Sequence, residues 1–138
     1  MRAKIRMVEG GGVPLELTLL DARCFPGEPG AKWEESYWFE ARAADELVAF
    51  AGVAHRSRRV WELTRCGVRP DARGRGLQRA LVRARERFAR SRGGAACVTY
   101  VEPSNFASAN NLIACGYRVY APATPWGVPS ALYLTRSL

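Results

Sequence analysis

Histidine occurs once and lysine twice in the 138 residues of this chain, and no C-x-x-C pair joins any of its four cysteines. Cys24, Cys66, Cys97 and Cys115 stand 42, 31 and 18 residues apart, and His55 is the single histidine. That spacing excludes a zinc site of the usual kind. A chain of this length needs no covalent staple and nothing in it marks secretion, so reduced thiols in apolar surroundings are expected rather than a disulfide framework. A Cys–His nucleophile would have to use His55, at the end of an apolar run in Ala54-His55-Arg56-Ser57, and that option carries little weight. Long apolar runs are missing too. Nothing approaches the roughly 20 residues that span a bilayer, and Met1–Gly12 lacks the apolar core of a signal peptide. A cytoplasmic protein with no membrane partner is expected.

What is present is a globular composition, 48% hydrophobic and 25% charged, which excludes disordered and fibrous classes. The length predicts one domain over 1–138. Charge is the unusual feature. The net +8 arises from nineteen arginines and two lysines against thirteen acids, and residues 56–92 alone hold thirteen arginines against Glu62, Asp71 and Glu86. One segment therefore supplies the whole positive excess, which points to a polyanion there, either nucleic acid or a phosphate-bearing small molecule. Coding bias towards arginine and a solvated helix face would give the same count.

Alternation over Lys4–Glu9 predicts a strand ending at Gly10-Gly11-Gly12. Pro14 suits an early helical position, and Leu15, Leu19 and Ala22 extend a helix to about Cys24. Phe25-Pro26-Gly27-Glu28-Pro29-Gly30 breaks the chain. A helical turn is expected over Trp33–Tyr37, then strands over Trp38–Ala43 and Leu47–Arg56 joined at Ala44-Asp45-Glu46. Val60–Val68 completes a meander that Pro70, Gly74 and Gly76 terminate. Leu77, Ala80, Leu81, Ala84 and Phe88 form one apolar stripe of a helix over 77–92, with Arg79, Arg83, Arg87 and Arg90 elsewhere on the wheel. Gly93-Gly94 closes it. Ala95–Val101 is a strand, Asn105 to Cys115 a helix, and Tyr117–Tyr120 and Ala131–Thr135 two last strands. The order predicts an α+β fold in which strands 60–68 and 95–101, joined by the 77–92 helix, are parallel neighbours.

The strongest chemical signal is Val68-Arg69-Pro70-Asp71-Ala72-Arg73-Gly74-Arg75-Gly76-Leu77-Gln78, set between a strand and a helix. Glycines let amide groups converge without Cβ interference, and the helix N-terminus adds partial positive charge. A phosphate fits there, with Arg73 and Arg75 adding charge-assisted bonds. The Walker pattern is absent, and Gly74-Arg75-Gly76-Leu77-Gln78-Arg79 fails the third glycine of a dinucleotide fingerprint.

Arg73-Gly74-Arg75-Gly76-Leu77-Gln78 resembles the [QR]-x-x-G-x-[GA] signature of the GNAT superfamily of acyl-CoA-dependent N-acyltransferases, with Gln78 where Gly or Ala is usual. Asn105-Phe106-Ala107-Ser108-Ala109-Asn110-Asn111-Leu112-Ile113-Ala114-Cys115-Gly116-Tyr117 resembles the second cofactor segment of that family. The resemblance implies a mixed, mostly antiparallel sheet with a splayed parallel strand pair, flanked by helices on both faces. It implies acetyl-CoA wedged between strands 60–68 and 95–101, its pantetheine arm on the backbone of Cys66 and Val68 and beside Asn105 and Asn111, and its pyrophosphate on Arg73, Gly74, Arg75, Gly76, Leu77 and Gln78. The N–H near Val68 would hold the thioester oxygen. A homodimer through the final strands is in keeping with the family.

Acylating an amine requires a proton acceptor, because a lysine-like amine of pKa near ~10.4 is almost wholly charged at neutral pH. Glu62 is the only carboxylate on strand 60–68, and the resemblance implies a base at this place, often acting through water. Its structural alternative is a rim glutamate balancing Arg65 or Arg58, and Glu102 is a rival base. The family's usual general acid, a tyrosine seven residues after Asn105, is replaced by Leu112. Tyr117 and Tyr100 are substitutes by type, and a CoA thiolate can also leave unassisted. Residues 25–39 and 121–130, with Phe25, Trp33, Tyr37, Trp38 and Trp126, are expected to select a small-molecule or peptide amine, although Trp38 reads as core. Three functions follow in order: an acetyl-CoA-dependent N-acetyltransferase using direct transfer, a catalytically weak or inactive acyl-CoA-binding module, and a nucleic-acid-binding protein using the basic helix. The last lacks interleaved aromatics for stacking.

Overall fold

A computed structural model describes residues 2–10 and 12–138. Gly11, in the middle of the expected glycine loop, lies outside the described residues. The strands are β1 (Lys4–Met7), β2 (Tyr37–Ala43), β3 (Glu46–Ser57), β4 (Val60–Val68), β5 (Ala96–Val101), β6 (Arg118–Tyr120) and β7 (Leu132–Ser137). The helices are α1 (Leu15–Cys24), α2 (Leu77–Ser91) and α3 (Phe106–Ala114), with short 3-10 turns at Trp33–Glu35 and Pro70–Ala72. The seven strands form one sheet in the order β1-β2-β3-β4-β5-β7-β6. Every pairing is antiparallel except β4 with β5. β7 inserts between β5 and β6, an order the local pattern does not reveal. Among the described residues no helix is long and apolar enough to cross a membrane.

Helices cover both faces. Leu17 and Leu20 of α1 pack on Trp38, Leu47 and Phe50. On the other face Leu77, Leu81, Val82 and Ala89 of α2 and Leu112 of α3 join Phe39, Val53, Trp61, Leu63, Cys97 and Leu134. β3 is buried without interruption from Leu47 to Val53 because helices close over both of its sides. α2 departs from its simple stripe: Arg85 and Glu86 are each only 2% exposed.

Two irregularities shape β4. First, its register with β3 passes from Leu63 opposite Val53 to Cys66 opposite Ala51, so Thr64 and Arg65 together face Gly52. This bulge reverses side-chain parity along the strand. Trp61, Leu63, Cys66 and Val68 all join the core shared with α2, while Gly67 turns towards Phe50 and Cys24 on the α1 side. Second, β4 and β5 pair only over Val60–Ala96, Trp61–Cys97 and Glu62–Val98. Beyond Glu62 they part. The Thr99 hydroxyl bridges the first unpaired position by donating to the Leu63 carbonyl at 2.9 Å.

Candidate active site

The Gly52 carbonyl, opposite the bulge, accepts from the buried Arg85 guanidinium at 3.0 Å. Arg69 N–H donates to Val48 O at 2.8 Å, which makes positions 69 and 67 the hydrogen-bonded ones with β3. By antiparallel alternation the N–H and C=O groups of Cys66 and Val68 then point away from β3, into the gap that β5 has left.

The gap opens into a cavity of about 720 Å3 lined by Cys66, Gly67 and Val68 of β4, the loop residues Ala72, Arg73, Gly74 and Gly76, Leu77, Gln78 and Arg79 of α2, and Asn105, Ala107, Ser108 and Asn111 around α3. Of the ten residues expected to touch the cofactor, nine line it. Arg75 does not; it is exposed, on a loop turned by left-handed Gly74 (φ 76°) and Gly76 (φ 78°). A Cβ on either glycine would meet nothing within 4 Å, so their role is conformational and leaves the loop amides uncovered. Gly76 caps α2 without a side-chain acceptor for the first-turn amides. Bare N–H groups and the positive end of a helix therefore face the cavity, a donor set that fits a pyrophosphate.

Arg73 lines the same cavity but folds back, its Nε donating to Val68 O at 3.1 Å. Gln78 and Asn111 are joined to each other at 2.9 Å, Arg79 donates to Asn111 at 2.8 Å, and Gln78 reaches Ser108 at 3.3 Å. Asn111 is thus not a solvated helix residue. Gln78, in place of the small residue of the signature, stitches α2 to α3. Asn105 both lines the cavity and caps α3, accepting from Ser108 N–H at 3.2 Å. Sequence reasoning missed Cys24 and Phe25, which close the cavity from the end of α1. The Pro-Gly break after them hid that contact by suggesting an acceptor loop.

Glu62 lies outside this cavity, at the vertex where β4 and β5 separate. Its partner is neither Arg65 nor Arg58: Arg56 Nη1 donates to Glu62 Oε1 at 3.2 Å. Arg65 instead pairs with buried Asp21 at 2.7 Å, close but not aligned as a hydrogen bond, and lies 4.1 Å over the Phe25 ring. Arg58 occupies the tight β3–β4 turn with φ 48°. Burial pushes the Glu62 carboxyl above its ordinary value of 4.5, Arg56 opposes that shift, and Glu35 adds to it. Glu102 is exposed beyond β5.

Tyr100 is 36% exposed, and burial together with the charge of nearby Glu62 raises its hydroxyl pKa. Tyr117 is removed from consideration as a general acid. It is 3% exposed, and its hydroxyl donates to buried Glu86 at 2.8 Å. Leu112 is a core residue. Trp33 and Trp38 pack on each other with centroids 4.6 Å apart and on Phe50, so they support α1 rather than line the cavity. His55 is exposed, and its ring bonds Arg58 O at 2.7 Å. Burial pushes the Cys24 and Cys66 thiols up and that of Cys97 up to about 11. None of these three is a ready thiolate nucleophile.

A helix N-terminus with bare amides, beside parallel strands that part and aim backbone donors into the opening, defines an acyl-carrier-binding fold of the acetyltransferase kind. Residues 16–117 match the model of the acetyltransferase (GNAT) family, and the chain belongs to that family. Three solved structures share the fold along almost the whole chain. A Bacillus subtilis acetyltransferase in complex with CoA is 17% identical, covering 99% of each chain with a TM-score of 0.79. A GNAT family acetyltransferase from Elizabethkingia anophelis with acetyl-CoA bound is 13% identical over 99% of this chain and 98% of the other, with a TM-score of 0.77. The ribosomal-protein-S18-alanine N-acetyltransferase of Escherichia coli is 20% identical over 99% and 94%, with a TM-score of 0.79. No curated protein sequence matches the chain significantly.

Proposed function

We propose that this protein is an acetyl-CoA-dependent N-acetyltransferase that passes the acetyl group to a primary amine by direct attack in a ternary complex. Acetyl-CoA supplies the activated carbonyl. The observation that carries the reading is the continuity of one cavity from the bare α2 amides to the stretch of β4, Cys66 to Val68, that β5 leaves unpaired. The amides of 74–78 hold the pyrophosphate. The groups of Cys66 and Val68 extend β4 along the pantetheine arm, Asn105 and Asn111 border it, and the Val68 N–H polarises the thioester oxygen. Arg73 leaves the Val68 carbonyl to meet a phosphate.

Glu62 takes the proton of the attacking amine, through water. A carboxyl whose pKa burial has raised is a stronger base for that purpose. Tyr100, whose hydroxyl stays protonated beside the charge of Glu62, is the candidate to donate to the departing sulfur. The four free thiols suit a reducing cytoplasm. Release of CoA over a panel of amines tests the reading. Glu62→Gln should lower kcat by roughly 10²–10⁴-fold with acetyl-CoA affinity unchanged, and an unaltered kcat removes Glu62 from the chemistry.

A second reading, binding without turnover, has one observation in its favour: Leu112 is sealed in the core where a tyrosine would serve as acid. Saturable acetyl-CoA binding with no acetylation of any amine would select it.

A further inference from the structure

Arg56 stands beside the proposed base, and the proposed transfer gives its guanidinium no role beyond pairing with Glu62. Its guanidinium lies 4.3 Å above the Trp126 ring and 3.2 Å from Glu62. That is the only hydrogen bond of its side chain among the described residues, so most of its five donors stay open, and the side chain is 36% exposed. The stacking surface is itself anchored. Trp126 Nε1 donates to Tyr120 OH at 2.9 Å. Tyr133 OH accepts from Gly127 N–H at 3.1 Å and donates to Val128 O at 2.7 Å. A Cβ on Gly127 would come within 2.5 Å of the Tyr100 ring, so only glycine lets this loop lie so close. Trp126 sits 5.4 Å from Tyr100 and 5.2 Å from Tyr133, between centroids.

Resting on the proposed function, we infer that the acceptor is a small zwitterionic α-amino acid with an apolar or aromatic side chain. Glu62 and Arg56 form a fixed pair of opposite charges in contact, the complement of an ammonium and a carboxylate on one carbon. The ammonium is delivered to the base, while the carboxylate takes the open guanidinium fork, held flat by Trp126. The accessible surfaces of Trp126 and Tyr100, backed by buried Tyr133, form the wall for the side chain. The same guanidinium works against polyamines and lysine-rich peptides, because it places a positive charge where a second cationic group would arrive.

Initial rates of the full chain with acetyl-CoA test this, comparing L-phenylalanine and L-leucine with phenethylamine, isoamylamine and spermidine. The amino acids should exceed their decarboxylated counterparts at least tenfold in kcat/KM. Assayed at a pH above the acidic limb of each form, Arg56→Met should raise KM for the amino acids about tenfold and leave KM for the amines within twofold, with Arg56→Lys restoring part of the preference. Arg56 is partly exposed and its replacement leaves the core intact, so circular dichroism should be unchanged. Equal or better turnover of the amines, or equal losses for both classes in Arg56→Met, overturns the inference while the acetyltransferase reading stands. Failure of acetyl-CoA to bind in a calorimeter overturns both.

Discussion

Glu62 is legible in the sequence because it is the only carboxylate on its strand, but its partner is not. Register decides that choice: Glu62 faces Ala54, and the break in register between His55 and Ser57 falls at Arg56, whose guanidinium reaches Glu62. Arg58 is spent in the turn, and Arg65, within the bulge, faces Asp21. A charge count cannot see a bulge. The pH consequence follows from Glu62 and the groups facing it, Arg56 from β3, Glu35 from the turn before β2 and Tyr100 from β5. Burial raises its pKa, so the proposed base is lost to protonation at a higher pH than for an ordinary glutamate, and the acidic limb of kcat/KM should lie above 4.5. Arg56→Met, which removes the opposing charge, should move that limb higher. A raised folded-state pKa also means that stability is greatest with the carboxyl protonated and falls as pH rises through that pKa. Glu62→Gln should therefore match or exceed the wild-type Tm at pH 7 while its activity falls, and a marked loss of Tm would assign Glu62 a structural role instead.

Most elements can be read from periodicity and turn residues, and the boundaries of α2 and β4 follow closely from the pattern. What escapes is the inward face of α2, where Arg85 and Glu86 occupy positions that a helical wheel gives to solvent. The reason lies elsewhere in the sequence: the buried Arg85 guanidinium spans to the Gly52 carbonyl opposite the β4 bulge and to the Leu81 carbonyl of its own helix. Arg85→Met would remove the buried hydrogen bonds to the Gly52 and Leu81 carbonyls, at a cost of about 1–3 kcal/mol. Urea denaturation should show this loss, together with weaker acetyl-CoA binding because the bulge aims the Cys66 and Val68 groups. Unchanged stability and affinity would show that the bulge holds its shape without Arg85.

Across the whole molecule, the parallel β4–β5 pair was predictable from the crossover rule, whereas the insertion of β7 between β5 and β6 was not. Only long-range contacts fix that order. Prominent among them is Glu86, which accepts from Arg83 at 2.8 Å, Arg136 of β7 at 2.9 Å and Tyr117 at 2.8 Å. It ties the central helix to the C-terminal strands. Glu86→Ala would leave two guanidinium groups and a buried hydroxyl without their acceptor, and should cost about 3–5 kcal/mol in a denaturation experiment. A change under about 1 kcal/mol would mean that packing alone orders those strands.

The arginine excess that first suggested a polyanion resolves in space into several separate uses. Arg73 and Arg79 border the cavity, Arg85 is structural, Arg56 pairs with Glu62, and Arg87 and Arg90 face solvent. The central claim is that the turn opening α2 grips the diphosphate of acetyl-CoA. Titration calorimetry of acetyl-CoA into the wild type and Gly76→Glu tests it most directly. The new side chain enters open space, at the cost of roughly 1–2 kcal/mol of left-handed backbone strain, so the fold should survive. Affinity should collapse in Gly76→Glu and weaken more in Arg73→Ala than in Arg87→Ala; wild-type affinity in a folded Gly76→Glu protein would contradict it.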